Sequence, residues 1–513
     1  RKDCSYLVVP TRKMDRSSGG LINMETAAVR ERKRQREEVA VPIPSMTAVG
    51  GGEAQYVYLP IADALKAAGV RVCIFAAVSE IGAAFHSRGT DFTRTLRIFD
   101  QSRSTGISVT FFANDTALLP CVRSSGDVIS LHNVKITNYH GEFFVTCDKK
   151  SSSFALFEGK ASTESSPYQT SMKYHGSKQD DEILTNMRMW LVYPPPEGVG
   201  MKDLELQLRS VQSDLTFDLV CKVLHVYEAP GGEWIFYVWD GTDIPTTELQ
   251  TFLNTEAFTP APLHLEEVPL PREVLCTLPC IGTILRIFSN KFCKEITHLQ
   301  RDIYWARFCN ITCKQEFGIW KGTLPPSSRV RLLSNEDGSV VERLKMYESR
   351  LSTKVGRRPM ASLHKDFDFT DVEFKRAGYA TLMESLTDER VTHKLKTLVR
   401  VVSAFPCQGS DLHSLLTSNK YCLRLTLEDP TARIHAYVCK DGLVRFFGGS
   451  LTAAALTRKM KRLLGVPEQA AEEGTPVARN PPWIWCCLKS YRLEKEDPWG
   501  SRRYQVFGTE VRD

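Results

Sequence analysis

Beyond residue 54, the chain repeats one arrangement of short strands three times, and a repeat of this kind restricts the possible folds more than any single motif. In each copy, short runs rich in β-branched and aromatic residues are bounded by Gly, Pro or Asp, which is typical of strands joined by turns. The predicted strands are Val70–Phe75, Thr93–Ile98, Ile107–Phe112, Val128–Leu131 and Phe143–Cys147 or Phe154–Phe157 in the first copy; Phe217–Leu224, Trp234–Trp239, Ile284–Phe288 and Tyr304–Ile311 in the second; and Leu398–Ala404, Tyr421–Leu427, Arg433–Cys439, Trp483–Leu488 and Tyr504–Val511 in the third.

Five short strands with a connector or helix between the third and fourth are typical of the OB-fold, a five-stranded Greek-key barrel. Gly126, Gly282 and Pro482 are predicted to precede the fourth strand of the three copies, where a residue that breaks the preceding element is common. We therefore predict a mainly β fold (α+β class) with three tandem OB-fold barrels and linking helices.

The segments between the copies suggest the domain boundaries. Helical spacing of apolar residues predicts one helix before the second copy, over 180–193, and another after it, beginning near Val340. The basic cluster Arg30–Arg36 is a candidate nuclear-import signal, although interleaved Glu residues also fit a solvated segment. The predicted division is a basic, disordered tail at 1–54, OB-fold 1 at 55–160, OB-fold 2 with an N-terminal helix at 161–330, a helical linker at 331–394 and OB-fold 3 at 395–513.

The composition narrows the class of protein. With 513 residues, 42% of them hydrophobic and 25% charged, the chain is an ordinary globular protein and neither a collagen nor a coiled-coil rod. Its longest near-apolar stretch, Val72–Val78, is much shorter than the ~20 residues that cross a bilayer, so no membrane partner is expected. An odd number of cysteines, 15, without a secretion signal favours a reducing compartment. The net charge of +6 permits a nucleic-acid partner without requiring one.

Motifs of enzymes and metal sites are weak or missing from this sequence. It contains no phosphate-binding loop, nucleophile elbow or His-Glu-x-x-His pair, so we expect neither catalysis nor a cofactor. The pairs Cys276/Cys280 and Cys309/Cys313 could bind zinc if pairing of strands brought them together. Buried free thiols are the preferred interpretation, because free cysteine is a common core residue.

Recognition of a ligand by a barrel surface is the chemistry that remains. Aromatic side chains on the second and third strands of an OB-fold can stack on unpaired bases, while basic side chains contact phosphates. Since neighbouring residues of a strand face opposite sides, one of Phe111 and Phe112 should lie inside the barrel and the other outside. The candidates in the first copy are Phe85, Arg88, Phe92, Arg94, Phe112, His132, Lys135 and Tyr139.

The chain resembles the protection-of-telomeres family, nuclear proteins that bind the single-stranded, G-rich overhang of chromosome ends through tandem OB-folds. It resembles the shorter, plant-type members most, because the third copy is compact. The stretches that carry the resemblance are Arg88–Phe92, Phe99–Gln101, Phe112, Gly126–Val128, His132, Lys135–Ile136, Tyr139, Phe217–Leu219, Val238–Thr242, Gly282–Ile287, Pro482–Trp483, Lys489–Tyr491 and Tyr504–Phe507.

The resemblance implies roles for individual residues. Arg88, Thr90 and Asp91 would belong to a loop around the DNA, with Asp91 accepting a hydrogen bond from a guanine edge. Phe112 and Tyr139 would be stacking platforms, with His132 and Lys135 beside them. The resemblance also implies telomere protection, control of telomerase access and a third module that docks a telomere or telomerase protein.

Two departures from the family pattern keep an alternative open. Glu80–Gly82 replaces aromatic and basic residues at the end of the first strand, and Thr216 stands where a stacking Tyr is expected. The chain could therefore be an adaptor of telomerase or of a replication-protein-A-like complex, with weak DNA affinity. Tight, salt-sensitive retention of DNA would exclude an adaptor.

Overall fold

The structure is a computed structural model, and the chain beyond residue 55 forms one compact unit in it. The predicted tail and Arg88 lie outside the described residues. The structure describes residues 56–67, 69–87, 89–139, 142–159, 162–192, 205–247, 249–251, 270–290, 296–300, 303–316, 318–363, 368–374, 379–417, 422–449, 452–467 and 477–512.

The described part of the chain contains three closed barrels of five strands each, which confirms the predicted fold class. In every barrel the strands pair in the order first, second, third, fifth and fourth, and the fourth returns to the first. The third and fifth strands run parallel and the other neighbours antiparallel. This order and the single parallel pair are those of an OB-fold.

The first barrel consists of β1, β3, β4, β5 and β6, and β2, β7 and β8 extend its sheet. Of the two predicted alternatives for its last strand, Phe143–Cys147 falls within the fifth barrel strand, β6, whereas Phe154–Phe157 falls within β7, which pairs with β5. The bounds are β1 Arg71–Ile81, β2 Phe85–His86, β3 Phe92–Asp100, β4 Arg103–Ala113, β5 Val128–Tyr139, β6 Glu142–Cys147, β7 Ser153–Phe157 and β8 Gln169–Thr170.

The second barrel corrects the predicted numbering of its strands. The stretch after Gly282 forms its third strand, because β13 pairs directly with β11. The stretch Tyr304–Ile311, which was predicted as the fifth strand, is therefore the fourth, β14, and the true fifth strand, β15, was not predicted. The bounds are β9 Glu205–Leu206, β10 Thr216–Glu228, β11 Trp234–Trp239, β12 Leu249–Thr251, β13 Leu285–Ser289, β14 Trp305–Glu316, β15 Ile319–Thr323 and β16 Arg329–Leu333.

The third barrel consists of β18, β19, β20, β22 and β23. The short strand β17 pairs with β24 beside it. The bounds are β17 Thr370–Val372, β18 Lys394–Phe405, β19 Leu423–Glu428, β20 Arg433–Val438, β21 Val477–Arg479, β22 Ile484–Arg492, β23 Arg502–Val506 and β24 Thr509–Val511.

Helices in the described residues cap and connect the barrels. Amphipathic spacing accounts for the longest of them, whose first turn is capped by the Asp337 carboxylate accepting from the Ser339 N–H at 3.0 Å. The bounds are α1 Ile61–Lys66, α2 Gln179–Val192, α3 Arg272–Leu275, α4 Ile296–Leu299, α5 Gly338–Ser352, α6 Leu382–Thr387, α7 Gly409–Thr417, α8 Lys440–Phe446 and α9 Ala453–Leu463.

Two helices pack on barrels to which the predicted domain boundaries do not assign them. Helix α2, assigned above to OB-fold 2, buries Leu184 and Met187 against Phe75 and Phe157 of the first barrel. Helix α5 and strand β16, divided from OB-fold 2 at residue 331, both pack on the second barrel. An apolar stripe shows that a helix is covered, but it does not show which barrel covers it.

The first two barrels meet at the end of β1. Glu80 is 8% exposed. Its carboxylate forms ion pairs with the guanidinium groups of Arg307 and Arg331 of the second barrel, at 3.0 and 3.2 Å. The N–H groups of Ile81 and Ala83 donate to the Asp337 carboxylate and the Leu332 carbonyl. The unusual Glu80–Gly82 stretch therefore forms an interface between barrels.

The second and third barrels are joined by strand pairing and by buried charges. Strand β12 pairs with β21. The buried Glu428 carboxylate accepts from Arg400 at 2.6 Å and from Arg433, while Arg400 and Arg433 also donate to the Thr247 and Gly318 carbonyls across the junction. These contacts give the two barrels one continuous interface.

Candidate nucleic-acid interface

Strands β3, β4 and β6 present an outward face, which we call the outer face. Alternate residues point inward, as shown by the full burial of Leu96 and Val109, so the residues between them point outward. The Thr95 and Thr110 hydroxyls lie 3.1 Å apart across the two strands. The outer face consists of Thr95, Arg97, Ser108, Thr110, Phe112, Phe144 and Thr146, and Lys135 on β5 pairs with Thr146 at its edge.

Phe112 is the aromatic candidate on this face. Phe111 is 2% exposed and contacts Phe154 in the core, whereas Phe112 is half-buried and follows it on the other side of β4. The alternation of side chains along β4 therefore places Phe111 inside the barrel and Phe112 outside it, as predicted.

Sequence reasoning missed Phe144, a second aromatic residue of the outer face. Its side chain is 44% exposed, while neighbouring Phe143 packs on the core. The sequence does contain a pattern that predicts it. Phe143 and Phe144 are adjacent on a strand, as Phe111 and Phe112 are, so one ring of each pair should point outward. One half-buried ring, Phe112, and one exposed ring, Phe144, together with the basic Arg97 and Lys135, give this face the groups that stack on bases and attract phosphates.

Asp91 lies at one end of the outer face, where a lysine that the sequence argument did not consider binds it. Lys149 donates to both Asp91 carboxylate oxygens, at 2.8 and 3.0 Å, and to the Asn114 side chain at 2.6 Å. Thr90 is exposed beside them. Since an ionised carboxylate offers about four acceptor positions, Asp91 retains capacity for a base donor beside Lys149.

Phe92 and Arg94 are less available than expected. Phe92 packs partly on the core of the first barrel and contacts His86 edge-on, with ring centroids 4.9 Å apart. Arg94 donates to the Pro120 carbonyl at 2.7 Å and is half-buried. Both residues therefore support the loops at the end of the outer face.

The structure places Phe85 and His132 away from this face. Phe85 packs on the core of the second barrel, with its ring 4.3 Å from that of His298. His132 is fully buried, stacked between Tyr56 at 3.8 Å and Tyr174 at 4.9 Å. The two rings therefore do not share the outer face with Phe112, because packing partners from outside the first barrel's five strands cover them.

Tyr139 and Lys135 complete the candidates. Lys135 is exposed in the middle of β5. Tyr139 ends β5, and its side chain lies outside the described residues, as does Arg88.

The burial of His132 makes stability depend on pH. Burial lowers the pKa of His132 from 6.5 to about 4, a loss that the attraction of Asp180 only partly offsets. Between these values the unfolded chain binds a proton that the folded chain excludes, so stability is full above pH 6.5 and falls as the pH drops toward 4. Lowering the pH from 7 to 5 should reduce the free energy of unfolding by about 2 kcal/mol through this group, measured in urea.

A matched pair of variants isolates this effect. The variant His132→Gln should lose that share of the pH dependence, whereas His413→Gln, which changes an exposed histidine of helix α7, should retain it. Equal pH dependence in both variants would show that His132 does not titrate in this range.

The corresponding face of the second barrel is covered by its own chain. Ile235 and Tyr237 of β11 point away from the core, yet they are only 8% and 2% exposed. Leu270, Leu278 and Ile284 pack on them. Among the described residues, this barrel therefore presents no open aromatic face on its second strand.

Neither a metal-binding cluster nor a membrane-spanning helix is found among the described residues. No group of three or more His, Cys, Asp or Glu side chains there is arranged to hold a metal ion, and Cys276, Cys280, Cys309 and Cys313 are free thiols. No helix in that part of the chain has the length and apolar character needed to span a membrane.

Comparisons with known proteins identify the family. Residues 52–194 match the family model "Telomeric single stranded DNA binding POT1/CDC13", and residues 365–497 match "POT1A-like, OB fold domain". Protection of telomeres protein 1b of Arabidopsis thaliana is 32% identical over 459 residues, covering 88% of this chain and 97% of that protein. Its protein 1a is 30% identical over 470 residues with the same coverage, and the Homo sapiens protein is 29% identical over 193 residues, covering 37% of this chain and 29% of its own length. Identity at this level along most of both chains shows that the chain belongs to the protection-of-telomeres family.

Proposed function

We propose that the chain binds single-stranded, G-rich telomeric DNA through the outer face of the first barrel. The observation that carries this proposal is the pair of outward rings, Phe112 and Phe144, on adjacent parallel strands with Arg97 and Lys135 on the same face. Flat exposed rings stack on unpaired bases, and flanking cations attract the phosphates between them. The family model that matches this barrel carries the same activity in its description.

Asp91 is proposed to contribute base selectivity. Its carboxylate, held by Lys149 at the end of the outer face, would accept from the amino group of guanine, which adenine lacks at that position. Thr90 and Arg88, which lie in the same loop as Asp91 in the sequence, would contact the sugar–phosphate backbone of the bound DNA. Binding of G-rich and scrambled oligonucleotides at equal, weak affinity would contradict sequence-specific recognition.

Replacing Phe112 with Ala should weaken binding by about 1–3 kcal/mol, because one stacking platform is lost. Fluorescence anisotropy with a labelled G-rich single strand measures the change. The matched control is Phe405→Ala, since Phe405 is 46% exposed on the third barrel and lies outside the proposed interface. Equal affinities of the two variants, with both folded, would remove Phe112 from the site.

The remaining roles rest on family membership and the fold. We propose that the protein acts in the nucleus at chromosome ends, protects them and regulates telomerase access. The third barrel would dock a telomere or telomerase protein, and it exposes the apolar side chains of Phe405 and Val444, at 46% and 44%. A telomerase extension assay with increasing protein tests the regulatory role, and localisation of a tagged chain tests the cellular one.

An adaptor with weak DNA affinity is the second candidate. The second barrel favours it, because among the described residues Leu270, Leu278 and Ile284 cover the outward side of β11. Filter binding at increasing salt separates the candidates. Tight retention that falls steeply with salt supports DNA binding, and negligible retention supports the adaptor.

A further inference from the structure

A cleft opens beside the outer face of the first barrel. Its volume is about 410 Å³, within the roughly 300–1,000 Å³ of small-ligand pockets. It lies between the end of β4, the following turn at residues 114–119, the turn at 147–152 and the segment 169–173. Phe112 lines this cleft as well as standing on the outer face, so the two surfaces are continuous.

Apolar side chains that are left exposed line the cleft. Leu118 is 52% exposed and Met172 is 92% exposed. Neither is buried in the core, and both line the cleft together with Phe112. A wall formed by one flat ring and two flexible apolar chains suits a planar, largely apolar ligand.

The rim of the cleft is mainly basic, since three lysines line it with one carboxylate, Asp148, which pairs with Arg71 at 2.8 Å. Lys149, Lys150 and Lys173 all border it. Lys149 is held by Asp91 and Asn114, and Lys173 donates to the Lys150 carbonyl, so these cations are positioned around the opening. An apolar wall with a cationic rim is complementary to a nucleotide, whose base is flat and whose phosphate is anionic.

We propose that this cleft receives one nucleobase turned out of the bound single strand, next to the base that stacks on the outer side of Phe112. This inference rests on the proposed function. Turning out a base costs least in a strand that is already unpaired, and stacking on Phe112 with contacts to Leu118 and Met172 compensates for the lost stacking on neighbouring bases. The strand would therefore leave the outer face over the turn that carries Lys149 and Lys150.

The test is a double-mutant cycle between the protein and the DNA. A G-rich telomeric-repeat oligonucleotide is synthesised with an abasic residue at each position in turn, and its affinity is measured for the full chain and for Leu118→Gln. At one position the abasic residue should weaken binding to the unmodified protein roughly tenfold. That loss should shrink to less than about threefold in the variant, because the pocket is already impaired.

Two further variants serve as a repeat of the test and as its control. Met172→Gln changes a side chain that is 92% exposed and lies outside the core, so it should repeat the result of Leu118→Gln. Met189→Gln, at a residue 55% exposed on helix α2 away from the cleft, should bind every oligonucleotide as the unmodified protein does. All three substitutions leave the net charge unchanged, so long-range attraction to phosphate is constant.

The outcomes separate this inference from the proposed function. If the unmodified protein prefers the telomeric strand, but both cleft variants show the same loss at every abasic position as it does, the cleft is empty and the inference is wrong. If the unmodified protein does not distinguish telomeric from scrambled strands, the proposed function itself fails.

Discussion

Replacing Glu80 with Ala should lower the free energy of unfolding by about 3 kcal/mol, because it leaves two largely buried guanidinium groups, with side chains 14% and 24% exposed, without their shared carboxylate. Arg307 and Arg331 approach Glu80 at 3.0 and 3.2 Å. Arg307 retains Glu205 at 2.7 Å, so the expected loss lies at the lower end of the 3–5 kcal/mol typical of broken buried pairs. Burial lowers the pKa of Arg307, but the attraction of Glu80 and Glu205 outweighs it and holds the pKa above its ordinary value, so the group stays charged.

Urea unfolding of the full chain measures this change, with an exposed ion pair as the control. Asp63→Ala breaks a 2.8 Å pair with Lys66, but both side chains are more than half exposed, so the loss should stay below about 1 kcal/mol. Glu80→Gln keeps an acceptor without the charge and should fall between the two. If Glu80→Ala costs no more than Asp63→Ala, the ion cluster between the barrels does not stabilise the chain.

Replacing Gly282 with Ala should destabilise the second barrel by roughly 2–5 kcal/mol, for two reasons. Its φ of +76° is left-handed, which costs a residue with a Cβ about 1–2 kcal/mol. The added Cβ would also lie 2.3 Å from the Trp239 indole carbons, and overpacking of this kind costs about 1–3 kcal/mol. The indole has little room to retreat, because its Nε1 donates to the Thr242 carbonyl at 2.7 Å and its ring packs on Tyr347.

Gly449→Ala isolates the backbone contribution. Gly449 has a similar φ, +74°, but an added Cβ there has no atom within 4 Å. Thermal or urea unfolding should therefore show a loss of about 1–2 kcal/mol for Gly449→Ala and a clearly larger one for Gly282→Ala. Equal losses would mean that Trp239 moves aside at no cost.

Local patterns predicted the strands well where one face of a strand is buried. The alternation at Thr93–Ile98 and the adjacent pair of Phe111 and Phe112 identify a half-buried sheet, and β3 and β4 follow it. In the second barrel, all six residues of β11 are buried, and Gly282 precedes a third strand, so the same reasoning misnumbered the strands there. A strand covered on both faces lacks the alternation that would show its place in the barrel.

The candidate site was predicted in part for the same reason. Phe112 and Lys135 lie on or beside the outer face, because strand parity alone decides where they point. Phe85 and His132 were chosen by the same reasoning from the local sequence. In the structure, however, Phe85 packs on the second barrel, and His132 stacks between two tyrosines. Lys149 reaches Asp91 from 58 residues away along the chain, and no local pattern connects the two.

The sequence by itself determined the number of barrels, the order of most strands and the family, because these depend on short-range alternation and on residue identities along the chain. Only the tertiary structure decided which barrel surfaces remain open. Leu270 and Leu278 cover the face of the second barrel, and Arg307 covers the end of β1. The outer face of the first barrel keeps the half-buried Phe112 and the exposed Phe144. The exposure of a surface depends on which distant parts of the chain pack against it. Burial of apolar area and pairing of charges determine this packing, and both arise only when the whole chain has folded.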